Sequence, residues 1–146
     1  MKFKHFPNCF VCGKDNPHGL QTRFKLDGED RIKAEFFPQS WQEGGAGALH
    51  GGLVCALLDE AMAYVVHGTL GIHAPTVSLE IRISRPVKLT EKKIIVKAEL
   101  IDKNERRRLY SARATIELPD GTVLAFGQGK FLKDKKTQLP SYAASP

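Results

Sequence analysis

The sequence predicts an α+β domain in which one long helix is wrapped by an antiparallel β-sheet. Three observations point there: one long apolar segment, Leu53-Val-Cys-Ala-Leu-Leu-Asp-Glu-Ala-Met-Ala-Tyr-Val-Val66; shorter segments in which apolar and polar residues alternate; and polar turn clusters between them. A sheet needs a cover for its apolar face, and only this one segment is apolar enough to provide it. A chain of 146 residues, 42% hydrophobic and 26% charged, suits a single globular domain spanning residues 1–146. Within it, residues 1–19 form a cysteine-containing N-terminal segment, and residues 134–146 a Pro-containing, Ser/Ala-rich tail that is expected to fray. No internal repeat, low-complexity block or linker divides the chain.

Taken in order, residues 20–26 and 31–37 alternate apolar and polar side chains across Asp27-Gly-Glu-Asp30, which predicts a hairpin. Residues 38–49 read as a loop. The helix is expected over residues 51–66, with His67 at its negative end and Gly68 closing it in a left-handed turn. Four strands follow, over residues 76–87, 93–101, 109–118 and 123–132, with turn signals at Asp102-Lys-Asn-Glu105 and Pro119-Asp-Gly121.

The formal net charge of +6 arises partly from Arg106-Arg-Arg108 and Lys133-Asp-Lys-Lys136. The arginines follow a turn, the lysines border the tail, and no aromatic residues interleave with them as single-strand stacking would want. Nucleic acid is therefore not an expected partner, and no helix-turn-helix segment is evident; a phosphate-bearing small molecule makes better use of moderate positive charge. Met1-Lys-Phe-Lys-His-Phe-Pro7 lacks the apolar stretch of a signal peptide, and no run approaches the roughly 20 apolar residues of a membrane span. A soluble, cytoplasmic protein without membrane contact is the expectation. Three cysteines cannot all pair with one another, and Cys55 lies in the apolar segment, which favours free thiols.

Chemistry concentrates where Asp59 and Glu60 sit inside the apolar segment, just after His50-Gly51-Gly52. Burying a charge costs several kcal/mol unless it is paired or given chemical work, so at least one carboxylate needs explaining. No Ser, Thr, Asp or Asn immediately precedes Gly51 to cap the helix, which leaves its first N–H groups for an oxygen that gains negative charge. Glycine at 51 and 52 lets a ligand approach the backbone closely. From Gly51 to Asp59 is eight residues, roughly 12 Å along the helix axis. That is too far for both to touch one carbonyl. Gly44-Gly-Ala-Gly47 lacks the strand and spacing of a dinucleotide fingerprint and does not match a Walker loop.

These residues resemble the hotdog-fold acyl-CoA thioesterases, in particular the phenylacetate-pathway subgroup within the 4-hydroxybenzoyl-CoA thioesterase-like superfamily. The resemblance rests on His50-Gly51-Gly52 followed by apolar residues to Leu57-Leu58-Asp59 and then Glu60-Ala-Met-Ala-Tyr64. The later segment Thr76-Val-Ser-Leu-Glu-Ile-Arg-Ile-Ser-Arg-Pro-Val87 and the opening Cys9-Phe-Val-Cys-Gly-Lys-Asp-Asn-Pro-His-Gly-Leu20 support it. The resemblance implies a hotdog fold, a homodimer or dimer of dimers with the site between subunits, and an acyl-CoA substrate of which coenzyme A is itself part, so that no separate cofactor is required. It makes Asp59 the acid that attacks the thioester carbonyl or activates water, and Gly51 the backbone donor that polarises the carbonyl oxygen. A carboxylate in an apolar site is more basic than in water, which suits either role.

Other readings of these residues stay open. Asp59 as the partner of a basic group at an interface is the structural alternative. Glu60, about 100° round the helix, is the second candidate acid. His50 fixes the loop by hydrogen bonding or contacts substrate; Gly52 borders the same approach; Asn16 is a candidate for positioning water or the carbonyl. Arg85 and Lys88 are candidates for the coenzyme A phosphates, with Arg82 on the opposite strand face. Trp41, Met62 and Tyr64 are candidates for lining the acyl pocket. Cys9-x-x-Cys12 with His5 and His18 offers four nominal zinc ligands. A lone Cys pair, and a resemblance that requires no metal, favour thiols packed beneath the first strand, so no metal is expected. A non-catalytic acyl-CoA-binding module would use the same pocket without turnover. A hotdog hydratase would need a His one or two turns from Asp59, and the helix supplies none before His67.

Overall fold

The computed structural model of the chain describes residues 6–135. Strands β1 (Lys25–Leu26) and β2 (Arg31–Phe36) precede a short 3-10 turn (Ser40–Gln42) and a small ribbon of β3 (Glu43–Gly45) and β4 (Ala48–Leu49). Helix α1 (Gly51–Leu70) follows, then β5 (Thr76–Ile83), β6 (Ile94–Asn104), β7 (Leu109–Glu117) and β8 (Val123–Leu132). Six strands form one antiparallel sheet in the order β1-β2-β6-β7-β8-β5. The expected architecture is therefore present, with β5 at one edge of the sheet although it comes directly after the helix in sequence.

Burial explains the assembly. Val54, Leu57, Leu58, Ala61, Met62, Val65 and Val66 recur at helical spacing and are all buried against the sheet. Each Val, Leu or Met side chain among them contributes about 1.5–3 kcal/mol when fully removed from water. The sheet answers with alternating inward residues: Ile32, Ala34 and Phe36 on β2; Ile94, Val96 and Ala98 on β6; Tyr110, Ala112, Ala114 and Ile116 on β7.

Several boundaries differ from the sequence reading. The helix runs four residues further, to Leu70; Gly68 is buried inside it, and the left-handed residue that closes it is Gly71, at φ 64°. By length and apolar composition this helix is also long enough to cross a membrane, contrary to the expectation from the sequence, but one face is packed into the core here. The first predicted strand shrinks to two residues because Leu20 and Thr22 donate their N–H groups to Phe10 and Val11 of the N-terminal loop instead of to a strand. The predicted loop over residues 38–49 contains the ribbon, whose tip turns at Ala46 and Gly47, both at positive φ. β5 ends at Ile83, four residues early: the N–H groups of Ser84 and Arg85 both turn to the Leu124 carbonyl. Met62, expected in the acyl pocket, is a fully buried core residue, whereas Trp41 is 63% exposed. His5 and residues 136–146 lie outside the described residues, and with them one nominal zinc ligand and most of the expected frayed tail.

Candidate active site

The two neighbouring carboxylates face different flanks of α1. Asp59 is half-buried and points toward β5, where the Thr76 hydroxyl donates to its Oδ1 at 2.8 Å. Burial raises its pKa, and the Thr76 hydrogen bond offsets part of that rise. Glu60 points the other way, into the N-terminal loop. Its Oε1 lies 2.9 Å from the Cys12 thiol and 3.5 Å from the Cys9 thiol. Burial pushes its carboxyl up to about 7 against the bond from Cys12. Among the described residues Glu60 has no Lys, Arg or His ion-pair partner.

The helix start is built differently from the expectation of several free N–H groups. His50 is itself the cap: its Nδ1 accepts from the Gly52 N–H at 2.8 Å, and its carbonyl accepts from Leu53 and Val54. The backbone at His50 is itself anchored, because its N–H donates to the Gln42 carbonyl. Glycine is needed at 52, since a Cβ there would come within 2.9 Å of the capping nitrogen. His50 thus fixes the loop, the first of its two expected roles. Gly52 has its N–H committed, and the Gly51 N–H alone is left, exposed and with no hydrogen-bond partner among the described residues.

Gly51 lies beside Ile83, the last residue of β5, whose Cδ1 would stand 3.7 Å from a Cβ built on it. Asp59 meets Thr76, the first residue of the same strand. β5 therefore returns along the first half of the helix and brings both primary candidates to one flank, without shortening the roughly 12 Å between them. That strand is an edge, and Val77, Leu79 and Ile83 on it are 55%, 41% and 44% exposed. Just beyond, Arg85 and Lys88 are exposed and make no ion pair among the described residues. Lys88 bridges to Ala48, two residues before His50, which puts it near the helix start.

Asn16 is not brought to this flank. Its amide donates to the Asn8 carbonyl and its oxygen accepts from the His18 N–H, so it organises the N-terminal loop instead of positioning water. Thr76 is the residue that sequence reasoning missed; a threonine at a strand start carries no sign that a carboxylate 17 residues earlier will meet it. A hollow of about 430 Å³ on the outer sheet face, bordered by Lys97, Glu99, Arg113 and Glu117, contains neither Asp59 nor Gly51. Four of the charges around it are paired with one another, Arg113 with Glu99 and Lys97 with Glu117.

Comparison with known proteins bears on the fold that carries these residues. A model of the thioesterase superfamily matches residues 46–117, from just before the helix to the end of β7. The acyl-coenzyme A thioesterase THEM4 of Bos taurus is 28% identical over 110 residues, which is 75% of this chain and 44% of that protein; the chain thus spans less than half the length of this relative. Among solved structures, a thioesterase superfamily protein superposes with a TM-score of 0.78 at 22% identity, over 87% of this chain and 61% of that one. A hypothetical thioesterase from Streptococcus pneumoniae, solved with coenzyme A, superposes with a TM-score of 0.69 at 17% identity, over 77% and 87%. The fold is therefore the hotdog fold, and the segment that carries α1, β5, β6 and β7 is the part of the chain that the thioesterase superfamily model matches.

Proposed function

We propose that this chain hydrolyses acyl-CoA thioesters to a free carboxylic acid and coenzyme A, at a site completed by a second copy of itself. The observation that carries the reading is the Asp59 carboxylate, half-buried and made more basic by burial, on the same flank as the exposed Gly51 N–H. In this reading Asp59 attacks the thioester carbonyl or takes a proton from the water that does. The Gly51 N–H donates to the carbonyl oxygen as negative charge develops there. The C–S bond then breaks, and the thiolate leaves with the electron pair and takes up a proton; where water attacks directly its oxygen ends in the acid, and where Asp59 attacks, water then cleaves the mixed anhydride to release the acid and restore the Asp59 carboxylate. A thiolate leaves readily, so no dedicated general acid is required, and coenzyme A enters as part of the substrate with no separate cofactor.

The distance between Asp59 and Gly51 supports a homodimer or a dimer of dimers. One carbonyl cannot reach both groups of one chain, whereas a second copy set against the β5 edge would place its Asp59 by its neighbour's Gly51. The exposed apolar residues of β5 favour such a cover. Arg85 and Lys88, exposed beside the helix start, suit the coenzyme A phosphates through charge-assisted bonds. The test is thiol release from a panel of aromatic and aliphatic acyl-CoA esters. Turnover by the wild-type chain supports the reading and identifies the acyl class; binding of acyl-CoA without thiol release would overturn it in favour of a binding module.

A further inference from the structure

We propose that Cys9, Cys12 and Glu60 bind one zinc ion, which ties the N-terminal loop to helix α1 and leaves a fourth position open to water. The two sulfurs and a Glu60 oxygen all lie within 4.8 Å of one another. Tetrahedral zinc with ordinary Zn–S and Zn–O bonds holds its ligand atoms roughly 3.6–3.8 Å apart, so the cluster needs to open only slightly from its contacts of 2.9 and 3.5 Å. Thiolates with one carboxylate select a borderline-soft ion over calcium or magnesium.

The loop is shaped for this before any ion arrives. The Gly13 N–H donates to the Cys9 carbonyl at 2.9 Å, and a Cβ at Gly13 would sit 2.4 Å from the Cys9 nitrogen, so only glycine permits the turn. Arg23 Nη1 donates to the Cys12 carbonyl at 2.9 Å and holds the turn from the far side. Among the described residues the Glu60 carboxylate, mostly buried, otherwise receives two weak S–H donors, which compensate poorly for its lost hydration.

Room for a fourth ligand stands beside the cluster. A hollow of about 210 Å³ is lined by Cys12, Thr22, Arg23, Phe24 and Tyr64. Thr22, only 2% exposed, has a buried hydroxyl with no hydrogen-bond partner in that lining. Water on the ion would supply one.

The experiment is titration of the full reduced chain with cobalt(II) alone, read by the thiolate-to-cobalt absorption in the near ultraviolet, followed by competition with zinc. The expected result is one cobalt per chain with tetrahedral thiolate absorption, displaced by one zinc. Cys9→Ala and Cys12→Ala should abolish the thiolate band, and Glu60→Gln should weaken binding at least about tenfold. His18→Ala, which changes an exposed residue outside the cluster, should bind as wild type, and circular dichroism checks that each variant folds. Absence of thiolate absorption in the wild type would overturn the proposal. So would unchanged affinity in a folded Glu60→Gln chain, or a reversible Cys9–Cys12 disulfide in place of metal uptake, which would assign the pair to redox chemistry.

Discussion

Asp59 and Glu60 are adjacent in sequence and share one helix, yet the two flanks they face have little in common. Asp59 looks onto the rim of the sheet, against a threonine hydroxyl, beside an edge strand whose apolar residues are exposed. Glu60 looks into an enclosed corner, against two thiols in a tight loop. The step of about 100° between consecutive helical residues is enough to separate a group that a second molecule can reach from one that only the chain's own N-terminus can. Burial raises the basicity of both carboxyls, so basicity alone does not choose between them; access does.

The largest expected effect follows directly. Asp59→Asn keeps the shape and removes the base or nucleophile, and should lower kcat/KM for thiol release between about a hundredfold and ten-thousandfold. Glu60→Gln should stay within about tenfold of wild type. Reversal of that order, in chains shown to be folded, would move the chemistry to the Glu60 flank.

On the Glu60 flank the expected effect is on stability. Burial holds its carboxyl at about 7, against an ordinary value of 4.5. The folded chain therefore keeps a proton that the unfolded chain gives up. The stability linked to this group is fully present below about pH 4.5 and is lost as pH rises through 7, a change on the order of 3 kcal/mol. Denaturant unfolding of the metal-free chain across that window should show the decline, and Glu60→Gln should flatten it. A profile that Glu60→Gln leaves unchanged would mean that its flank is wetter than the geometry indicates.

The Asp59 flank also predicts an assembly effect. Leu79→Asp places a charge on the exposed apolar edge of β5. It should shift the chain toward monomer in sedimentation and lower activity at fixed concentration about tenfold, a cost of roughly 1.4 kcal/mol in association. A fully active monomer would show that one chain is sufficient.

How much of this contrast could be read beforehand depended on the range of each interaction. The helix was legible from Leu53 to Val66 because its apolar run has no rival in the chain; its end was misplaced because a glycine packed inside a helix, Gly68, reads the same as one that closes it, Gly71. The strands β7 and β8 were placed almost to the residue by alternation and the Pro119-Asp-Gly121 turn. Alternation over residues 20–26 reported burial correctly at Leu20, Thr22 and Phe24 but could not say that the partner was the N-terminal loop and not a strand. At the site, the Gly51–Asp59 spacing was visible, whereas the residues that give each acid its environment, Thr76 for one and Cys9 and Cys12 for the other, are distant in sequence. The Cys-x-x-Cys motif was plain to see, but nothing local says that it will close over Glu60.

The smallest effect is the most discriminating, because it changes Asp59 without touching it. Thr76→Val keeps the volume of the side chain and removes the hydroxyl that donates to Asp59 Oδ1, a bond worth about 1 kcal/mol. That bond favours the charged carboxylate, so its loss leaves burial unopposed and raises the pKa of Asp59 further. If Asp59 must be ionised to act, the acid limb of the kcat/KM profile should move to higher pH, while the rate on the plateau above it changes only a few fold. An acid limb that stays where it was would mean that the group titrating in catalysis is not the one Thr76 touches, and the division of labour between the two flanks would have to be drawn again.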